Sequence, residues 1–241
     1  MIEFDHVYRT YGQTTALAGL TLDVRPGEVF AFLGPNGAGK TTTIKMMVGL
    51  LRPSRGTIRI GGHDVVTATR SANALIGYVP DEPFLYDKLS GREFLRFIAD
   101  MYGLSAEAAQ TNVRREIEYF QLAEFIDQLS ETYSLGMKQR LVFAAAMLHD
   151  PAVLVLDEPM VGLDPRSVRL VKDLLKAKAA AGTTIFMSTH TLHMAEELAH
   201  RIGIIDRGEL KFLGTLAELR RERSLPDTSL ENLFLQLTES G

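Results

Sequence analysis

Residues 34–41 read Gly-Pro-Asn-Gly-Ala-Gly-Lys-Thr. They fit the pattern G-x-x-x-x-G-K-[ST], which is typical of loops that wrap nucleotide phosphates. Glycines let successive backbone N–H groups point inward at phosphate oxygens. Lys40 can reach the β- and γ-phosphates as a compact positive charge, and Thr41 offers a hydroxyl to Mg²⁺. The predicted phosphate-binding residues are Gly34, Pro35, Asn36, Gly37, Ala38, Gly39, Lys40, Thr41 and Thr42.

The sequence on either side of this loop supplies the context that a chance glycine turn would lack. The run from Glu28 to Leu33 is mostly apolar and is typical of a buried strand. After Lys40, apolar residues at 44, 47, 48 and 51 predict an amphipathic helix. A strand, a glycine loop and a helix in this order would place bound phosphates at the positive N-terminus of the helix.

Two further groups of polar residues come directly after apolar strands. Asp157 and Glu158 follow the run 152–156, and carboxylates at such a strand end face the ligand crevice of an α/β sheet. Asp157 is predicted to hold Mg²⁺, and Glu158 to act as a general base on water. His190 follows the strand 185–189 and is placed to donate to a γ-phosphate. An acidic turn and a structural histidine are the alternatives.

At Tyr133–Arg140 a hydroxyl and a glycine precede an amphipathic helix. Ser134 could donate to a phosphate, and the N–H of Gly136 lies near the positive end of that helix. The local pattern by itself favours an ordinary helix cap.

The rest of the chain predicts an α/β fold with an insertion. Alternating strands fill the first quarter, and helical periodicity dominates from about 83 to 150, where Ser90 and Glu93 fit a capping box. Phe94, Ile98 and Met101 are predicted to share one helix face. The α/β pattern then returns, with Asp164 as a helix N-cap. A short helix is predicted near the end, with apolar positions that could pack on this chain or equally on a partner.

Composition bounds the function classes. The chain has 241 residues, 46% of them hydrophobic, with a net charge of −4 and no cysteine. Disulfides and thiolate chemistry are excluded, and nothing favours nucleic-acid binding by bulk charge. The first residues show no signal-peptide pattern, and no apolar run reaches the ~18 residues that cross a bilayer. We therefore expect no direct membrane insertion.

Taken together, these motifs resemble the ATP-binding subunits of ABC transporters, in the family's order and over nearly the whole chain. Gly34–Thr41 matches Walker A, Val153–Glu158 matches Walker B, and Tyr133–Arg140 matches the signature motif. Residues 162–164 match the D-loop, and His190 matches the switch histidine. The resemblance implies that Tyr11 stacks on adenine and that Ser134, Gly136 and Asp164 also contact ATP. It leaves a plain strand tyrosine as the alternative for Tyr11.

The chain departs from the family pattern in two places. Tyr133 and Leu135 replace a leucine and a glycine of the signature, and Asp81 stands where the family has the Q-loop glutamine. We expect Asp81, with Thr41 and Asp157, to serve the Mg²⁺ site, because a carboxylate can bind this ion.

The resemblance implies a phosphate-loop NTPase lobe with an antiparallel β subdomain and an inserted α-helical subdomain. The expected limits are 1–223 for the ATPase domain, with the insertion at about 83–150, and 224–241 for a C-terminal helix and tail. The expected function is Mg²⁺-dependent ATP hydrolysis that powers transport, in the manner of prokaryotic exporters. The expected partners are a second ATPase subunit and a membrane permease, which would hold the chain at the cytoplasmic face of the membrane. The alternatives are a soluble ABC ATPase without a permease, for instance in cofactor assembly, and a pure nucleotide-binding module.

Overall fold

The computed structural model describes residues 1–222 and 229–238, so the expected boundary between residues 223 and 224 lies outside the described residues. Ten strands form two sheets within this part of the chain. The strands are β1 Ile2–Tyr11, β2 Thr14–Val24, β3 Val29–Leu33, β4 Arg55–Ile60, β5 His63–Asp64, β6 Ile76–Val79, β7 Val153–Asp157, β8 Thr184–Thr189, β9 Arg201–Asp206 and β10 Glu209–Gly214. The helices are α1 Lys40–Met47, α2 Thr69–Asn73, α3 Gly91–Met101, α4 Ala106–Tyr119, α5 Leu135–Met147, α6 Pro165–Ala180, α7 Leu192–Leu198, α8 Leu216–Glu222 and α9 Leu230–Thr238.

The six-stranded sheet carries the candidate site. Its order is β10-β9-β3-β8-β7-β6, and its neighbouring strands are parallel except β10, which runs antiparallel to β9. Every residue of β3, β7 and β8 is buried, as expected for parallel strands covered on both faces. The carboxyl ends of β3, β8, β7 and β6 therefore lie along one edge, where ligands bind in open α/β sheets.

The second sheet is the antiparallel subdomain that the sequence predicted. Its order is β2-β1-β4-β5, and every pairing in it is antiparallel. Phe4 of this sheet packs against Phe186 of β8, with ring centroids 6.2 Å apart. Phe186 also contacts Phe30 and Phe32 of β3, so an aromatic core joins the two sheets.

Helices α3, α4 and α5 form the inserted part. The predicted capping box is present, because Ser90 Oγ accepts from Glu93 N and Glu93 Oε2 accepts from Ser90 N. At the end of the predicted apolar face, Met101 is 68% exposed. Met101 is the last residue of α3, and Tyr102 after it makes the inward contact, stacking on His149.

Helix α5 links the insertion to the main sheet. It begins at Leu135 in the insertion, and its last turns pack on β6. The approach is close at Gly77, where an added Cβ would lie 2.4 Å from the carbonyl oxygen of Ala146. The glycine therefore permits this close packing of α5 on β6.

Helix α1 is shorter than its apolar pattern indicated. It ends at Met47, and Gly49 has a φ of 75°, a conformation that commonly terminates helices. Leu51 lies beyond the helix and is partly buried against the aromatic core.

The C-terminal helix α9 packs on the chain's own core. Leu230 and Leu233 are fully buried, and Phe234 and Leu237 pack partly against the same core. Of the two docking possibilities that the pattern left open, packing on this chain is the one observed. Among the described helices, none has the length and apolar character needed to span a bilayer.

Candidate functional site

The phosphate loop lies between β3 and α1, and two of its glycines adopt backbone angles that other residues rarely reach. Gly37 has a φ of 82° and Gly39 a φ of 112°. Space is also limiting, because an added Cβ on Gly34 would lie 2.4 Å from the Ile205 carbonyl oxygen. On Gly39 it would lie 2.7 Å from the Ala16 carbonyl oxygen. The loop is therefore held between β9 and β2, and its glycines are needed for that position.

Lys40 begins α1, and its ammonium group is folded under the loop. Its Nζ donates to the carbonyl oxygens of Gly34 at 2.7 Å and Pro35 at 3.2 Å. Burial lowers the pKa of Lys40, while the negative charges of Glu158 and Asp157 oppose that change. Lys40 thus lies between the loop and both acidic residues, where an anionic phosphate would favour its charged form.

Asp157 ends β7 and is 1% exposed. Ser188 donates from its hydroxyl to Oδ1, whereas Oδ2 has no hydrogen-bond partner among the described residues. Burial raises the pKa of Asp157, and Asp81 and Glu158 add to this, while Ser188 and the nearby Thr41 hydroxyl act the other way. A buried carboxylate with an unused oxygen calls for a cation or a proton.

These donors fit Mg²⁺. The unpartnered Asp157 oxygen and the nearby Thr41 hydroxyl are hard oxygen ligands. Within residues 1–222 and 229–238, no three His, Cys, Asp or Glu side chains converge as a metal cage. Asp157 and Thr41 would hold a magnesium ion here, and phosphate and water oxygens would supply its other ligands, as is common for this ion.

Glu158 and His190, which the sequence predicted separately, are in direct contact. One carboxylate oxygen of Glu158 lies 2.8 Å from His190 Nδ1, and the same oxygen accepts from the His190 backbone N at 3.0 Å. Thr189 Oγ1 donates to the other oxygen at 3.2 Å. Glu158 also has a φ of 47°, a strained value for a residue with a side chain. The arrangement gives a carboxylate that can accept a proton and an imidazole whose Nδ1–H it orients.

Asp81 lies at the same sheet edge, two residues after β6. It is exposed, and its Oδ1 accepts from the backbone N of Glu82 at 2.8 Å. Its charge nevertheless contributes to the raised pKa of Asp157. The structure therefore brings Asp81 within electrostatic reach of Asp157 but directs its carboxylate to its own loop.

Ser134, Gly136 and Asp164 form a second group. Ser134 caps α5 by accepting from Met137 N at 3.3 Å, and Asp164 caps α6 by accepting from Ser167 N at 3.0 Å. An added Cβ on Gly136 would lie 3.6 Å from the Gly162 carbonyl oxygen, so the two helix starts are adjacent. The side-chain hydrogen bonds of Ser134 and Asp164 all stay within their own helices.

Tyr11 ends β1 and is 45% exposed. Its hairpin reaches the phosphate loop, because the carbonyl oxygen of Ala16 lies against Gly39. Tyr11 is thus on the phosphate-loop side of the antiparallel sheet, at the hairpin's end.

Sequence reasoning did not identify several residues that hold this site. Ser188 and Thr189 orient Asp157 and Glu158, and their signal was a pair of hydroxyls at the end of an apolar strand. Gln139 is fully buried in α5 and donates at 3.4 Å to the carbonyl oxygen of Pro159, next to Glu158. Gln139 lies within the signature motif Tyr133–Arg140, but the spacing of that motif does not predict this contact.

Comparison with known proteins gives a consistent result. A family model described as ABC transporter matches residues 17–161, which include the phosphate loop and Glu158. The linearmycin resistance ATP-binding protein LnrL of Bacillus subtilis is 39% identical over 241 residues, which make up 100% of this chain and 76% of that protein. The Nod factor export ATP-binding protein I of Paraburkholderia xenovorans is 41% identical over 207 residues, or 86% of this chain and 68% of that protein.

A solved structure described as an ATP-binding subunit of an ABC transporter has the same fold. It superposes with a TM-score of 0.94 at 33% identity, covering 98% of this chain and 99% of that one. The structure of cbiO1 from Clostridium perfringens, part of the ABC transporter complex cbiONQ, superposes with a TM-score of 0.79 at 26% identity, over 93% of this chain and 92% of that one.

Proposed function

The chain belongs to the ATP-binding subunits of the ABC transporter family, and from that premise we propose that it hydrolyses ATP to drive export through a separate membrane permease. The observation that carries the proposal is the convergence of Lys40, Asp157, Glu158 and His190 at one sheet edge. Lys40 and the loop N–H groups bind the phosphates, and Tyr11 receives the base. The names of the relatives, which concern resistance and export, support the direction.

Asp157 and Thr41 would hold Mg²⁺, with Asp81 contributing through its charge. The ion, when bound, neutralises developing charge on the phosphate oxygens. Glu158 accepts a proton from the attacking water, and this makes the water oxygen a stronger nucleophile. Glu158 orients His190 through Nδ1, which leaves Nε2 facing the γ-phosphate. Donation from Nε2 uses the imidazolium form, in which both ring nitrogens carry a proton.

Two subunits are proposed to complete each site. Ser134 and Gly136 lie at the start of α5. The Ser134 hydroxyl accepts a hydrogen bond only from its own helix, so both residues can face the ATP of a second copy. Leu135 and Val161 beside them are exposed by 50% and 47%. The two faces of the chain differ, so a head-to-tail pair with two-fold symmetry would bury two nucleotides. Asp164 would lie at that interface.

A cluster of exposed aromatic side chains supports the proposed contact with a permease. Phe84 is 74% exposed, and its ring lies 5.8 Å from Tyr86, which in turn lies 5.6 Å from Phe97. Contiguous exposed apolar surface marks interaction sites. The cluster follows Asp81 directly, so a partner seated on it would act on the loop beside the Mg²⁺ ligands. The chain would thereby be held at the cytoplasmic face of the membrane. The alternative, an ABC ATPase without a permease, gives this cluster no partner in a membrane.

Co-expression with a multi-span membrane protein encoded beside the gene tests the proposal. We expect the tagged chain to co-purify with that protein from detergent-solubilised membranes, and Phe84→Asp to abolish the association. Leu50→Asp is the matched control, because Leu50 is 64% exposed on another part of the surface and should leave the association intact. If the tagged wild-type chain hydrolyses ATP but co-purifies with no membrane protein, the result would favour the permease-free alternative.

A further inference from the structure

Arg9 covers one face of the Tyr11 ring. The central carbon of its guanidinium group lies 4.4 Å from the ring centroid. At this distance the positive charge attracts the π-face of the ring, and the planar group stacks on it. Because Tyr11 is 45% exposed and one face is covered, the opposite face remains available to a ligand.

The guanidinium group of Arg9 is itself anchored. Its Nη1 donates at 2.9 Å to the carbonyl oxygen of Arg52, 43 residues away in the chain. Its Nε is buried and has no hydrogen-bond partner among the described residues. Arg52 lies in the segment that follows α1, the helix that begins with Lys40. The Tyr11 ring is thus connected, through Arg9, to the segment just after the helix that begins with Lys40.

The distance along the hairpin suits a nucleotide. The carbonyl oxygen of Ala16 lies against Gly39 of the phosphate loop, and Thr14 pairs with Tyr11 across the hairpin. Two residues of strand separate Ala16 from Thr14, or about 7 Å at the usual rise. Tyr11 therefore lies on the part of the hairpin just beyond its contact with the phosphate loop.

We infer that Arg9 is a positioning residue for the nucleotide base, because it holds the Tyr11 ring from behind so that the base stacks on the free face. The inference rests on the proposed function, in which Tyr11 receives the base. It implies that base and phosphate subsites are fixed relative to each other through Arg52 and α1. It also implies that Lys cannot fully replace Arg9, because an ammonium group lacks the plane that stacks while donating to a carbonyl.

Steady-state ATPase kinetics on four chains test this: wild type, Arg9→Ala, Tyr11→Ala and the double variant. We expect Arg9→Ala to raise KM for ATP about three- to tenfold with kcat within about twofold, in keeping with a cation–π contact. In the Tyr11→Ala background the same change should have no further effect. Arg9→Lys should fall between wild type and Arg9→Ala. Arg55→Ala, an exposed arginine of the same sheet, is the control and should leave KM unchanged.

A direct reporter is available because the chain has no tryptophan. The fluorescence of Tyr11→Trp should change on adding ATP, and adding Arg9→Ala should shift that titration to higher ATP concentrations. Tripolyphosphate, which lacks a base, should inhibit the ATPase activity at the same concentrations with and without Arg9→Ala. If Tyr11→Ala raises KM but Arg9→Ala does not, or if the effect of Arg9→Ala persists without the ring, the inference is wrong and the proposed function stands. A wild-type chain that neither binds nor hydrolyses ATP would overturn both.

Discussion

The surroundings of a single residue, Lys40, favour the binding of an anion. Lys40 is 7% exposed as a residue. Its ammonium group donates hydrogen bonds to two loop carbonyls and interacts with the charges of Asp157 and Glu158. Desolvation of a charge is costly unless partners compensate for it. The loop carbonyls offer that compensation, and phosphate oxygens would offer more because their charge is opposite.

Replacing Lys40 with alanine should therefore weaken ATP binding rather than folding. A charge-assisted hydrogen bond contributes about 1.5–3 kcal/mol, so we expect affinity to fall by at least about tenfold. Isothermal titration calorimetry with ATP measures it. Lys45→Ala, an exposed lysine of the same helix, is the control. Unchanged affinity in a folded Lys40→Ala chain would contradict the phosphate-loop assignment.

Asp81 adds negative charge near Asp157, where the family pattern has a neutral glutamine. We expect Asp81→Asn to raise the Mg²⁺ concentration for half-maximal ATPase activity about threefold, the size of one screened charge interaction. Nucleotide affinity should change less. Asp81→Gln should retain substantial activity, because it restores the usual length and charge.

Titrating Mg²⁺ at fixed ATP compares these variants with the wild type. Glu82→Gln is the matched control, since Glu82 is the next residue and is also exposed. Coincident Mg²⁺ curves for wild type, Asp81→Asn and Asp81→Gln would remove Asp81 from the metal site.

At the scale of elements, a stacked pair fixes the insertion to the main sheet. Tyr102 at the end of α3 and His149 after α5 lie with ring centroids 3.6 Å apart and planes at 10°. The hydroxyl of Tyr102 and Nε2 of His149 each lie 3.1 Å from the Ile76 carbonyl oxygen, at the start of β6. Both groups must donate, so His149 carries a proton on Nε2. Burial, as the largest cause, lowers the pKa of His149 to about 4.

This junction should make stability depend on pH. The folded pKa of about 4 lies below the unfolded value near 6.5, so the unfolded chain binds the proton more readily between these values. The contribution is therefore complete above pH 6.5 and is lost as pH falls toward 4. We expect His149→Phe, which keeps the stack, to flatten that part of the curve of Tm against pH. His63→Gln, an exposed histidine, is the control. A wild-type-like slope in His149→Phe would contradict the assignment.

Local pattern was sufficient to predict most elements, and it singled out the candidate site residues one at a time. The ends of β7 and β8 were predicted because apolar runs stop at Asp157 and His190, and the α6 cap because Asp-Pro pre-sets a helix start. The contact between Glu158 and His190 depends on the register of β7 against β8, which no local pattern encodes. Arg9 stacks on Tyr11 where the β1 register is irregular, between Arg9 and Thr10, and the sequence pattern did not show that irregularity.

For the molecule as a whole, the proposed two-subunit site would draw one half from each chain. The loop side supplies Lys40 and Glu158, and the helix start at Ser134 is used internally only for its cap. Closure of two copies would exclude water around the γ-phosphate and bring the second hydroxyl to it. Hydrolysis removes the bridging phosphate, so dimer opening would follow and act on the permease through the loop at Asp81.

The most direct test is gel filtration and ATPase assay of Glu158→Gln with ATP and Mg²⁺. We predict that turnover falls about 100- to 10,000-fold, as expected for loss of a general base, while ATP binding persists. The variant should elute as a dimer with ATP and as a monomer with ADP, and adding Ser134→Arg should remove the dimer. Wild-type-like hydrolysis by Glu158→Gln, or a monomer that persists with saturating ATP, would contradict the account.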